Sequence, residues 1–264
     1  MNTGCAVIVG SAFGSAGFTD LNLVARVVET PYGDSTLHQV GDAGAWVLFR
    51  HGFPHRLLPN QISYRANAWA LNHVGVGSLL ITSSVGVMDP SVPLYMPLVL
   101  DDLLMLENRL PDGSACTMFT EPTVDHGHLV LNEGVFSHRL NSKVEQIASA
   151  AEVAMGPSVV FAYVQGPRTK TKAENRLLAE LGAQVNSMTV GPEAVLANEL
   201  EIAVTAVVVG HKYSVSGRDN LDEHGIERSL DASRAAMNDM ILAFLEERPV
   251  VEFANHIFRF RDDS

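Results

Sequence analysis

Residues 46–72 read WVLFRHGFPHRLLPNQISYRANAWALN, and three unlike pieces meet there. Trp46 to Phe49 (WVLF) is an apolar run too short for a core helix, which predicts a buried strand. Ala66 to Asn72 has a helical pattern. Between them two arginines and two histidines, Arg50, His51, His55 and Arg56, fall within seven residues. Strand, basic turn and helix in that order make one βα unit, and the same alternation runs along the chain. Cys5 to Val9 (CAVIV), Ser78 to Thr82 (SLLIT), Val159 to Val164 (VVFAYV) and Ile202 to Val209 (IAVTAVVV) read as further buried strands. Lys143 to Met155, Thr171 to Leu181 and Pro192 to Leu200 read as helices. From Leu230 onward Met237, Met240, Ile241, Phe244 and Leu245 recur at helical spacing, which predicts a last amphipathic helix. The expectation is an α/β fold, one domain spanning 1–264, with a mixed, largely parallel central sheet flanked by helices.

Composition narrows the function. Of 264 residues 47% are hydrophobic and 18% charged, an ordinary soluble balance with material for a sizeable core. The formal net charge is −12, which disfavours nucleic acid or an anionic membrane as partner, since both reward a basic face. Cys5 and Cys116 stand far apart, giving neither a disulfide framework nor a zinc site. The histidines lack ligand spacing with carboxylates, so no metal is expected. No stretch approaches the roughly 18 apolar residues of a membrane span. The first apolar run lacks a preceding basic region and reads as a strand, not a signal peptide, so a cytoplasmic location is expected. The stretch from Leu110 to Asn141 is irregular and reads as a long active-site or interface loop. The tail after Arg248 contains a short alternating piece suited to an edge strand.

Chemistry-bearing residues collect at strand ends. Gly10-Ser11-Ala12-Phe13-Gly14 follows the first strand, where small residues let backbone N–H groups approach an anion. Arg50 and His51 follow the next; arginine offers a planar fork that fits phosphate, and histidine donates when suitably protonated. Ser83 and Ser84 end the SLLIT strand, where open α/β sheets place ligands. Gln165-Gly166-Pro167-Arg168, Met188-Thr189-Val190-Gly191-Pro192-Glu193 and Val209-Gly210-His211-Lys212 complete a polar rim.

Arg50 to Leu71 resembles the RHG-x-x-H…Y-x-A-N-x-W-A-L block of the purine nucleoside phosphorylase family, in particular its methylthioadenosine and methylthioinosine phosphorylases. QGPR at 165–168 and M-T-x-x-PEA-x-LA-x-EL at 188–200 resemble later signatures of the family, and the likeness runs in order over roughly residues 5 to 245. It implies phosphorolysis of the N-glycosidic bond of a purine nucleoside, 5′-deoxy or 5′-methylthio forms included. Inorganic phosphate is then a co-substrate and no cofactor is needed. It implies phosphate contacts from Ser11, Arg50, His51, Ser83, Ser84 and Thr189, with Met188 against the sugar. It also implies a homo-oligomer, trimer or hexamer, in which a neighbour's loop completes the sugar pocket; the segment around 120–140 is the candidate. A hydrolase, or a non-catalytic nucleoside- or phosphate-binding relative, remains an alternative.

The base end departs from the family pattern. Where the family has an aromatic or large apolar residue after GPR, this chain has Thr169-Lys170-Thr171, losing a stacking surface and gaining a cation. Gln165, Thr169 and Lys170 are the expected substrate contacts on this side. The family's base-binding Asn or Asp aligns with His211, the expected general acid beside Arg50 and His51. Leu230 aligns where some relatives use histidine against a 5′-hydroxyl, and an apolar residue there suits a 5′-deoxy or thioether group.

Overall fold

The computed structural model describes residues 3–10, 21–41, 44–123, 126–215 and 223–259, with side chains omitted for 223–228. Strand β1 (Gly4–Val9) is buried from Cys5 onward. It lies between two parallel neighbours, β4 (Ala45–Phe49) and β5 (Val76–Val87). Successive side chains of a strand point to opposite faces. Ala6 and Ile8 accordingly join one core cluster, while Cys5, Val7 and Val9 join another. Both faces need cover, and a near-continuous apolar run is what such a strand requires.

Helices supply the cover, with α3 (Lys172–Glu180) packing Leu178 against Met88 and Ala162. On the first face Ala70 and Leu71 of α1 (Tyr64–His73) and Ala194 and Ala197 of α4 (Gly191–Glu199) pack over Ile8, Leu79 and Val208. On the second, α2 (His138–Ala150) and α5 (Glu223–Glu247) cover Val7, Leu80 and Val207. Helix α2 presents Leu140, Val144, Ile147 and Ala148, and α5 presents Met237, Met240, Ile241 and Phe244, each a 3.6-residue stripe. The expected start of α2 at Lys143 is late by five residues. Ser137 caps the helix by accepting from Leu140 N, and the chain leaves it where Glu152 turns to φ 57°.

Beyond β5 the sheet closes on itself. β10 (Ala203–Tyr213) pairs parallel with β5 and antiparallel with β6 (Pro97–Leu104). β6 and β8 (Val159–Tyr163) run parallel, as do β8 and β9 (Val185–Ser187). β9 then returns antiparallel to β5 through Gly86 and Val87, making a five-strand ring. Outward from β4 an antiparallel hairpin, β2 (Leu23–Val28) and β3 (Ser35–Val40), forms the edge. The sheet is thus mixed, one α/β domain, with its antiparallel pairings at the hairpin and in the ring.

The segment expected to be one long loop holds β7 (Gly127–Val130), and the C-terminal tail supplies β11 (His256–Arg259) as its antiparallel partner. Asn255 fixes this two-stranded piece. Its Oδ1 accepts from Asn132 N and Glu133 N, and its Nδ2 donates to Gly134 O and Asn198 Oδ1.

Candidate active site

The ends of β4, β5 and β9 converge on a cleft of about 370 Å³. Arg50, His51, Ser83, Ser84, Met188, Thr189 and Lys170 all line it, together with His55 and Asn186. Arg50 sits at its floor, 1% exposed. Its Nε and Nη2 donate to Glu193 Oε1 and Oε2, both at 2.7 Å, and Nη1 donates to Thr82 O at 2.8 Å. A planar guanidinium held bidentately cannot swing, and of its five N–H groups two remain for a ligand. The strand end tolerates no side chain beside it. A Cβ on Gly10 would lie 2.9 Å from both Arg50 Nη1 and Thr82 O. Gly10 N is itself tied to Thr82 Oγ1 at 3.2 Å. Ser11, the next residue, lies outside the described residues.

His51 Nδ1 is 2.8 Å from Leu57 O. A carbonyl only accepts, so Nδ1 carries the hydrogen and a neutral ring leaves Nε2 as an acceptor. Burial is the main cause holding the His51 pKa below the usual imidazole range, with Arg50 and His55 adding to it. A neutral His51 can therefore accept a hydrogen bond from a protonated ligand atom but has no second N–H to donate. The hydroxyls opposite are loosely engaged. Ser83 Oγ donates to Ser84 O at 3.1 Å and lies 3.4 Å from Thr189 Oγ1, which is 3.5 Å from Ser187 Oγ. Ser84 Oγ is buried without a partner among the described residues. Long hydroxyl contacts cost little to redirect, so this wall can turn donors toward an anion.

Thr189 is presented by an unusual bend. Val190 has φ 74° and ψ −56°, and Gly191 N bonds back to Thr189 O at 2.9 Å. This is a γ-turn in the strained positive-φ form, a rare state for a β-branched residue. Glu193 stabilises it: its Oε2 accepts from Val190 N at 3.1 Å while its carboxylate clamps Arg50. One glutamate thus positions both the arginine and the threonine of the cleft.

Other expected residues stand elsewhere. Gln165 donates to Leu110 O at 3.1 Å and lines a separate pocket with Arg109 and Glu174. Thr169 lines an adjoining cavity, which Lys170 shares with the cleft. His211 is not among the described lining of the cleft or of that cavity. Its Nε2 lies 3.4 Å from Ser233 Oγ and its ring 5.9 Å from that of Tyr95. A bulge between Gly210 and Lys212 changes the register there, so that Lys212 is the neighbour that reaches the cavity. Leu230 is half-buried on α5, its carbonyl accepting from Ser233 Oγ at 2.9 Å, and does not line the cleft. Sequence reasoning placed Lys212 on the polar rim without giving it a role and passed over Asn186. Lys212 had the signal of following a strand end; Asn186 lies in a three-residue strand with no apolar run to reveal it.

A family model described as Phosphorylase superfamily matches residues 5–246. The chain belongs to the phosphorylase superfamily. This superfamily member is 32% identical over 221 residues to the 6-oxopurine nucleoside phosphorylase of Pyrococcus furiosus, with 81% of each chain covered. It is 35% identical over 211 residues to a probable S-methyl-5′-thioinosine phosphorylase of Pseudomonas syringae pv. tomato, covering 76% of this chain and 84% of that one. A methylthioadenosine phosphorylase from Schistosoma mansoni in complex with adenine shares the fold, with a TM-score of 0.78 at 21% identity over 93% of this chain and 91% of the other. Among the described residues no helix is long and apolar enough to cross a membrane, and no group of three His, Cys, Asp or Glu could hold a metal ion.

Proposed function

We propose that the chain is a purine nucleoside phosphorylase that splits the N-glycosidic bond with inorganic phosphate, releasing free base and a ribose 1-phosphate derivative. The observation that carries this reading is the Arg50–Glu193 clamp facing the Ser83, Ser84 and Thr189 hydroxyls across one cleft. Such a cradle suits a tetrahedral oxyanion beneath a sugar. As the C1′–N bond breaks, its electron pair leaves on the base and positive charge grows on the sugar. A phosphate held against C1′ stabilises that charge and then forms the C1′–O bond. Met188, beside Thr189, offers an apolar surface for the ribose. The names of the relatives support a purine substrate, with a 5′-methylthio form among those to test.

On the same reading phosphate is a co-substrate, no cofactor takes part, the enzyme is cytoplasmic and it works as a homo-oligomer. The test is base release from inosine, adenosine and their 5′-methylthio forms, with and without phosphate, followed by chromatography. Release that depends on phosphate is expected. Equal release without phosphate would overturn the reading in favour of hydrolysis.

A further inference from the structure

The cleft borders a second cavity of about 720 Å³, with Gly86, Lys170 and Asn186 common to both linings. Its charge is out of keeping with the chain. Lys170, Lys172, Arg176 and Lys212 line it, and no described carboxylate does, although the protein carries 30 acidic residues against 18 basic ones. Among the described residues none of these four cations is in an ion pair. The carboxylate that acts on Lys170 is committed elsewhere: Glu174 binds Arg168 at 2.7 and 2.9 Å and lines the separate pocket with Gln165. Lys170 is half-buried. Its pKa is pushed down to about 8, by burial above all and further by Lys212, against an opposing pull from Glu174. Lys170 and Lys212 thus share a cavity whose described lining holds no carboxylate, where an anionic ligand would offset both charges.

The polar wall between the cavities has a fixed sense. Ser214 O can only accept, so Asn175 turns Nδ2 toward it, at 3.0 Å. Asn175 Oδ1 then faces Asn186 and accepts from its Nδ2 at 3.2 Å. Asn186 Oδ1 is thereby left buried and without a partner among the described residues, at the seam of the two cavities. No amide flip relieves this without breaking the relay. The wall therefore offers one acceptor, and the cavity beyond it offers cations.

We propose that this second cavity receives the base, and that the base it selects is an acidic heterocycle bound as its anion, a 2,6-dioxopurine rather than a neutral 6-oxo- or 6-aminopurine. The proposal rests on the phosphorylase reading, which puts the sugar over the bound phosphate and the base in the space adjoining it. Lys170 and Lys212 meet the anionic edge, and an N–H of the ring is the kind of partner Asn186 Oδ1 lacks. The same cations favour departure of the base. The electron pair released from the C1′–N bond enters a ring system surrounded by positive charge, which stabilises the leaving group as it forms.

Two measurements test this and separate it from the reading beneath it. The first is calorimetric binding of free xanthine and urate against hypoxanthine and adenine, with phosphate present, at low and high salt. The acidic bases are expected to bind at least about tenfold more tightly, about 1.4 kcal/mol. Their advantage should shrink at high salt, as partly exposed charges require. Equal or weaker binding of the acidic bases would overturn the proposal even if phosphorolysis of neutral nucleosides is found. The second is the ratio of kcat/KM for xanthosine to that for inosine in the wild type and in Lys170→Met/Lys212→Met. A fall in that ratio of about tenfold is expected, and an unchanged ratio in a folded double variant would overturn it. Tight, salt-sensitive binding of acidic bases with no phosphate-dependent release from any nucleoside would instead sink the phosphorylase reading and leave the anion site standing.

Discussion

Arg50 is both the best anion donor in the cleft and half of a buried ion pair, with Arg50 1% and Glu193 2% exposed at the side chain. The two roles predict different things. Removing one partner of a buried pair strands the other charge, which typically costs about 3–5 kcal/mol. Arg50→Ala should therefore lower unfolding stability by that amount as well as abolish phosphate dependence. Arg50→Met/Glu193→Gln should regain more than half of the lost stability while remaining inactive. Urea unfolding decides it: a loss under about 1 kcal/mol in Arg50→Ala would show that the pair is not desolvated. At this scale the sequence was informative where polar residues cluster along the chain, as at Arg50 and His51. It gave Glu193 a place in a later signature but no tie to Arg50, 143 residues away, because a partner chosen across the fold leaves no local pattern. It marked His211 and Lys212 alike, since a run of residue types cannot show the bulge beside which Lys212 lines the cavity.

Elements were legible in proportion to their burial. β1, β4, β5, β8 and β10 read directly as apolar runs, because each lies under helices or neighbouring strands on both faces. β2 exposes Val24 and Val27, β6 carries Asp101 and Asp102 in its second half, and β9 is three residues long, so none shows a run to read. The tight bend after β9 was equally hidden, since nothing in Thr-Val-Gly marks the valine as the residue with positive φ. Val190→Gly tests what that bend does. Glycine removes backbone strain of order 1–3 kcal/mol. It also deletes a fully buried side chain, at a cost of a similar few kcal/mol. Stability should change little, while KM for phosphate rises several-fold as Thr189 loses its fixed position. A changed melting temperature with an unchanged KM for phosphate would show that the bend serves packing alone.

For the whole molecule, histidines that burial, whole or partial, holds neutral set the acid side of stability. Desolvation is the largest cause holding His38, His51 and His211 below the ordinary value of 6.5. The unfolded chain therefore takes up protons more readily than the folded one as pH falls through 6.5, and stability declines from there. Asp89, Asp112 and Glu174 have lowered pKa values, so their contribution is kept until pH drops toward 4. Glu199, raised by burial, acts in the opposite sense over the mildly acidic range, one group against three. The melting temperature is thus expected to fall between pH 7 and 5.5, before any paired carboxylate titrates. His38→Gln, which keeps a polar side chain but cannot titrate, separates the cause. His38 packs edge-on against Phe49 at 4.9 Å, away from the hydroxyls and arginine of the cleft, so the variant is expected to cost stability at pH 7.5. Because only the wild type loses more as the imidazole charges, the gap between the two should narrow steadily on going to pH 5.5. A gap that stays constant over that range would mean that His38 titrates alike in the folded and unfolded chains, and that burial of its ring does not oppose its charge.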